Sequence, residues 1–211
     1  MSFIAKCFQI FHQGGPVMYL ILACSVLVAA IGVERFMYYR KMDTDMHEFT
    51  GRLTALLERD DWAAAHELCR QTQGIAAMVA AKGIAHVQRG CANIESVLEG
   101  EASLAVAGLR AYLNHLDTIV TIAPLLGLLG TVIGMIDSFS VMNIKAGQPQ
   151  AITGGVGEAL IATASGLCVA TLAMIVYSYF NHRLDHLITT IEQTCLLVMG
   201  HIKQEKRHEI A

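Results

Sequence analysis

Hydrophobic and polar positions along this chain are patterned on two scales. On the coarse scale, three uncharged runs stand out, at residues 17–33, 119–136 and 159–180. The second holds about eighteen residues, or about 27 Å of helix, close to the hydrocarbon thickness of a bilayer; the first, closed by Glu34-Arg35, is the shortest that can cross. On the fine scale, apolar residues recur at three- and four-residue spacing, with no strand-like alternation of any length. Phe49, Leu53, Leu56 and Leu57 make one stripe behind a capping-box-like start at Asp45 and Glu48. Asp60-Asp61 breaks it, a second helix covers 62–72, and an alanine-rich third covers 75–88 between Gly74 and Gly90. From Asn93 onward Leu98, Ala102, Ala105, Leu109, Leu113 and Leu116 keep helical spacing into Ile119, so the second run is expected to be the outer end of one very long helix. Beyond the third run, Leu184, Leu187, Ile188, Ile191, Cys195 and Val198 form the apolar side of a continuing helix expected to pack on the soluble ones.

The pattern predicts an all-α integral membrane protein, with three transmembrane helices whose long cytoplasmic extensions form a helical bundle. Its expected segments are an interfacial N-terminus (1–16), a first span (17–33), a helical domain (34–118), a second span (119–136), a turn (137–155), a third span (156–180) and a C-terminal helix (181–211). In the first segment Phe3, Ile4, Phe8 and Phe11 suit one side of a short helix in the membrane interface. Gly14-Gly15-Pro16 ends it, and Pro16 can open the next helix. A cleaved signal peptide competes for the first run, but the basic start is feeble, the run is long, and no small-x-small site precedes Glu34.

Composition agrees, with 54% hydrophobic and 16% charged residues. A net charge of −3 gives no polybasic footprint, which argues against nucleic acid as a partner. Cys7, Cys24, Cys69, Cys91, Cys168 and Cys195 form no metal-ligand spacing and read as small buried residues, while His182 and His186 have no third ligand nearby. Neither a metal nor a cofactor is implied. There is no H-E-x-x-H and no G-x-S-x-G, so an intramembrane enzyme fares worst among the function classes. Of the 15 Lys and Arg residues, only Lys6 and Lys145 fall outside if the N-terminus and the 137–155 turn face outward, and the positive-inside rule then gives N-out, C-in.

The chemistry gathers on two spans. Pro124, Gly127, Thr131, Gly134 and Ser138 share one helical face, and Gly130 to Gly134 is a G-x-x-x-G. Ala159, Thr163, Gly166, Ala170 and Ala173 form a second small-residue face, again with one Thr. Counted inward from Asp137 and from Glu158, the two hydroxyls are expected at nearly the same depth. With Glu158 they suggest a polar lining to an apolar passage. Two other readings stay open: a Thr can return its hydroxyl to the carbonyl one turn back, and Glu158 can be an interfacial anchor.

The segment Ala123-Pro124-Leu125-Leu126-Gly127-Leu128-Leu129-Gly130-Thr131-Val132, followed by Gly157-Glu158-Ala159-Leu160-Ile161-Ala162-Thr163-Ala164 and Gly166-Leu167, resembles the signature of the ExbB/TolQ proton-channel subunits, relatives of MotA. Gly14-Gly15-Pro16 and Glu34-Arg35 are similar to the ExbB-like branch. One departure is Leu172, where members often carry proline. The resemblance implies a homo-oligomeric ring, a pentamer, in the bacterial cytoplasmic membrane. Such a ring surrounds the single transmembrane helices of ExbD- or TolR-like partners and works on a TonB- or TolA-like protein. It implies that a partner Asp carries the proton, that Thr131 and Thr163 hydrogen-bond it or its water, and that Glu158 attracts protons at the outer mouth. Pro124, Gly127, Gly130, Gly134, Ala159, Gly166 and Ala170 are then lining and packing positions.

Overall fold

A computed structural model describes residues 14–43, 46–89, 93–144 and 149–210, with the side chains of 46–47, 141–144, 149–153 and 205–210 outside that description. The expected interfacial helix, the Asp45 cap, Gly90, Cys7, Cys91, Lys6 and Lys145 fall outside the described residues. Those described form seven helices: α1 Val17–Met42, α2 Met46–Leu57, α3 Trp62–Gln71, α4 Ile75–Gln88, α5 Ile94–Arg110, α6 Leu113–Ile144 and α7 Pro149–Ile210. Three stretches are long and apolar enough to cross a membrane, within α1, α6 and α7. The protein is an all-α, multi-pass membrane protein. Within 137–155, where the pattern predicts a turn, residues 137–144 belong to α6 and 149–155 to α7.

The chain divides into two compact units, one of residues up to Val33 with Tyr112–Tyr179, the other of Glu34–Ala111 with the chain from Phe180 onward. In the second unit α4 is buried on most sides, through Ile75, Ala76, Ala77, Val79, Ala80, Gly83 and Ile84. A Cβ on Gly83 would come within 2.3 Å of Leu98, so α4 and α5 pack closely there. Asp61 caps α3 by accepting from the Ala64 N–H at 3.0 Å. Leu184, Leu187, Ile191 and Val198 of α7 are buried as the periodicity predicts, and Arg183 pairs with Asp43 while Lys203 reaches Glu95 at 3.4 Å. Of the described cysteines Cys69 is buried, but Cys168 is exposed on α7, against the expectation of burial.

The very long helix expected from Asn93 is interrupted. Ala111 turns extended (φ −52, ψ 143) and Tyr112 adopts a left-handed φ of 64° before α6 begins. Such a conformation costs about 1–2 kcal/mol for a residue other than glycine. It also deprives the Gly108 and Leu109 carbonyls of the N–H groups that a continuous helix would supply. Buried side chains from α1 replace them: Arg35 Nη1 donates to both carbonyls at 3.3 Å, and the Tyr39 hydroxyl donates to Leu109 at 2.8 Å. Arg35 also pairs with Glu34 at 2.6 Å and lies 4.7 Å from the Tyr38 ring centroid, so its charge is well partnered and sits where the dipole of α5 favours a cation. Burial pushes the Tyr39 hydroxyl up to about 12, outweighing the lowering by Arg35, and it remains a neutral donor at physiological pH.

Candidate functional site

Within the first unit, α6 and α7 run antiparallel with their backbones close together. Gly127 lies against Thr163, where a Cβ would meet the Thr163 Cα at 3.1 Å. Gly166 lies against Ala123, whose carbonyl oxygen would be 2.6 Å from an added Cβ. Gly130 meets Ala162, Gly134 meets Ala159 and the Gly155 carbonyl, and Gly155 meets Ser138. The small-residue faces therefore pack on each other within one chain. They include two residues of the quoted motifs that the small-residue faces as read left out, Ala123 and Ala162, both fully buried. Residue volume was the available signal, since both are alanines at the right spacing. Ala159 and Ala170 are buried as well, whereas Pro124 and Thr131 are half-buried at the edge of the α6 face. Leu172 is exposed, and α7 is continuous through it.

The close approach lets a side chain reach a main chain across the helix pair. Thr163 Oγ1 donates to the Gly127 carbonyl at 3.1 Å. Thr131 behaves otherwise, returning its hydroxyl to Leu128 of its own helix at 2.6 Å. In depth the two hydroxyls lie within about one helical turn of each other. Across the Gly127–Thr163, Gly130–Ala162 and Gly134–Ala159 contacts, Thr131 sits about 2–6 Å nearer the α6–α7 connection than Thr163. Asp137 and Glu158 are not level with each other, because the Ser138–Gly155 contact puts Asp137 opposite residues near 155.

The two threonines nonetheless open on one side. Val17, Met18 and Ile21 of α1 pack against Leu126 and Ile133 of α6 and Val169 of α7. At about 100° per residue, these positions lie on one edge of each helix's contact face, and Thr131 and Thr163 lie on the other. Thus α1 covers one flank of the α6–α7 pair and leaves the flank with both hydroxyls uncovered. Glu158 is on the covered side. Gly15, at a φ of +70°, lies against it, and a Cβ there would come within 2.0 Å of the Glu158 carboxylate oxygen. An anion at the start of α1 is favoured by that helix's dipole. The structure brings Thr131 and Thr163 to a shared flank and separates Glu158 from them.

Comparison with known proteins gives this pair of helices a context. The model of the MotA/TolQ/ExbB proton channel family matches residues 71–193. An ExbB homolog of Methanothermobacter thermautotrophicus is 29% identical over 91% of this chain and 69% of its own length. An ExbB-like protein of Synechocystis sp. is 32% identical over 79% of this chain and 67% of its own. The TolQ protein of the Tol-Pal system in Pseudomonas aeruginosa is 37% identical over 44% of each. With more than half its length matched by the family model, including both spans that carry the glycines and threonines, the chain belongs to the MotA/TolQ/ExbB proton channel family.

Proposed function

We propose that this chain is the ring-forming subunit of a motor in the cytoplasmic membrane driven by the proton-motive force. Several copies, five by the resemblance, surround the spans of an ExbD- or TolR-like partner, with the N-terminus periplasmic and the C-terminus cytoplasmic. A partner carboxylate carries the proton. Thr163, with Thr131 within about one turn of it in depth, receives it or its water, and Glu158 raises the proton concentration at the outer mouth. Each proton crossing releases about 2.3 kcal/mol per 100 mV, which biases movement of the partner helices against a TonB- or TolA-like protein. The observation that carries this reading is the uncovered flank. A lone chain would turn both half-buried threonines towards hydrocarbon, whereas a ring with that flank inward turns them towards a partner.

A structural scaffold is the second reading, and the satisfied hydroxyls favour it, since Thr131 and Thr163 each already have a carbonyl partner within the chain. Thr163→Val separates the two. Val keeps the β-branched shape but removes the hydroxyl, so energised work should be abolished while complex levels stay normal, and Thr163→Ser should restore it. Glu158→Gln should be milder, with a defect that deepens as external pH rises and protons become scarce. Wild-type work by Thr163→Val at normal complex levels would leave the hydroxyl a packing group and end the proton-path reading.

A further inference from the structure

The start of α1 closes on Glu158 at a point where no side chain fits. Gly15 holds a φ of +70°, a left-handed conformation that residues with a Cβ rarely adopt. A Cβ there would lie 2.0 Å from Glu158 Oε1 and 3.1 Å from its carboxyl carbon, so the main chain at Gly15 rests on the carboxylate. Glu158 is half-buried, and no described residue of the first unit is a Lys or Arg that could pair with it. The other described acids of that unit are on α6. Asp137 is exposed about 3–5 Å nearer the α6–α7 connection, and Asp117 stands about 25 Å away along the helix. On α7 the turns either side of Glu158 carry Gly154, Gly155, Ile161 and Ala162, none of them titratable, and the first turn of α1 offers only Tyr19, which is exposed. The neighbour that favours the anion is therefore the start of α1, whose aligned N–H groups place positive charge there.

We propose that Gly15 is a positioning residue for Glu158. Having no side chain, it lets the positive end of α1 come down on the carboxylate and hold it in one place. This rests on the reading of Glu158 as the group that raises the proton concentration at the outer mouth, and adds the residue that keeps the charge there. A methyl at position 15 would have to push the carboxylate oxygen back by about 1 Å to reach the shortest contact that real Cβ atoms make. The oxygen then moves away from the helix end, and the hold of the dipole falls off within the first turn. Gly14, one residue earlier, has other neighbours. A Cβ on it would meet Met18 Cγ at 2.4 Å and Ile161 Cγ2 at 3.2 Å, both side-chain atoms of apolar residues.

Two measurements test it on the full chain, energised work in cells and thermal unfolding of the purified complex in detergent. Gly15→Ala should reproduce the Glu158→Gln defect, a loss of work that deepens as external pH rises, and should add no further pH dependence in a Glu158→Gln background. Gly14→Ala, by contrast, should cost the same fraction of work at every pH. Gly15→Ala should also lower the unfolding temperature by about 4 °C or more, and by about half as much once Glu158→Ala has removed the carboxylate it strikes. If Gly15→Ala does not assemble, Gly15→Asn takes its place, because Asn tolerates a left-handed backbone while carrying the same Cβ, and the same pH dependence is expected. A defect at position 15 that is flat in pH while that of Glu158→Gln is not would overturn the positioning role, as would equal unfolding losses with and without the carboxylate. If Glu158→Gln is itself flat in pH, the outer-mouth reading fails instead, and the unfolding comparison alone decides whether Gly15 places the carboxylate.

Discussion

Single residues set the distance between α6 and α7, and Gly166 is among the tightest. Because the atoms an added methyl would strike there are main-chain atoms, the Ala123 carbonyl and the Gly127 Cα at 3.0 Å, no side chain can rotate away. Gly166→Ala should cost about 1–3 kcal/mol of stability, read as a lower unfolding temperature in detergent. It should also weaken the Thr163–Gly127 hydrogen bond by parting the helices. Gly157→Ala, where a Cβ meets nothing within 4 Å, should leave stability unchanged or slightly raised. The faces themselves were legible in sequence, since glycine and alanine recur at helical spacing. Their register was not. Charged residues at span ends are imprecise depth marks, because each helix leaves the apolar zone at its own point, and only the glycine contacts reveal that Asp137 lies opposite residues near 155 rather than Glu158.

At the scale of elements, the interruption between α5 and α6 depends on α1. Tyr39→Phe keeps the ring against Phe180, whose centroid is 5.6 Å away, and removes only the hydroxyl that satisfies Leu109. It should cost about 1 kcal/mol. Arg35→Met, which removes a charged donor from two carbonyls, should cost about 1.5–3 kcal/mol. pH distinguishes the hydroxyl's role. Because folding raises the Tyr39 value from 10.0 to about 12, its contribution is complete below pH 10 and is lost as pH rises towards 12. Cys69, pushed by burial to about 12, adds a loss that starts near pH 9. Chemical unfolding followed from pH 8 to 12 should therefore show wild type losing more stability than Tyr39→Phe. The break was invisible in sequence because Arg110-Ala111-Tyr112-Leu113 contains neither glycine nor proline and the apolar spacing continues through it. What stabilises it comes from residues 70 to 74 positions earlier, beyond the reach of any local pattern.

For the whole molecule, the class and family were readable from charge-free runs and two motifs, whereas the way the small-residue faces are used was not. Packing between α6 and α7 accounts for those faces within one chain, so the case for a ring rests on the hydroxyl-bearing flank. Native mass spectrometry in mild detergent should show a homo-oligomer, with a pentamer as the dominant species. A stable monomer would remove the ring from the proposed function while leaving the family assignment intact.

The Arg35 clamp also has a timetable. Arg35 and Gly108 are separated by 73 positions, so at about 5–20 residues per second Arg35 is made roughly 4–15 s before its first carbonyl partner. During that interval Glu34, the preceding residue, is the ion-pair partner within reach. Only when residues 108–109 have emerged can their carbonyls accept from the guanidinium, and the end of α5 then gains its partners. A residue just past the first apolar run thus waits, with a local partner, for a helix end made much later in the chain.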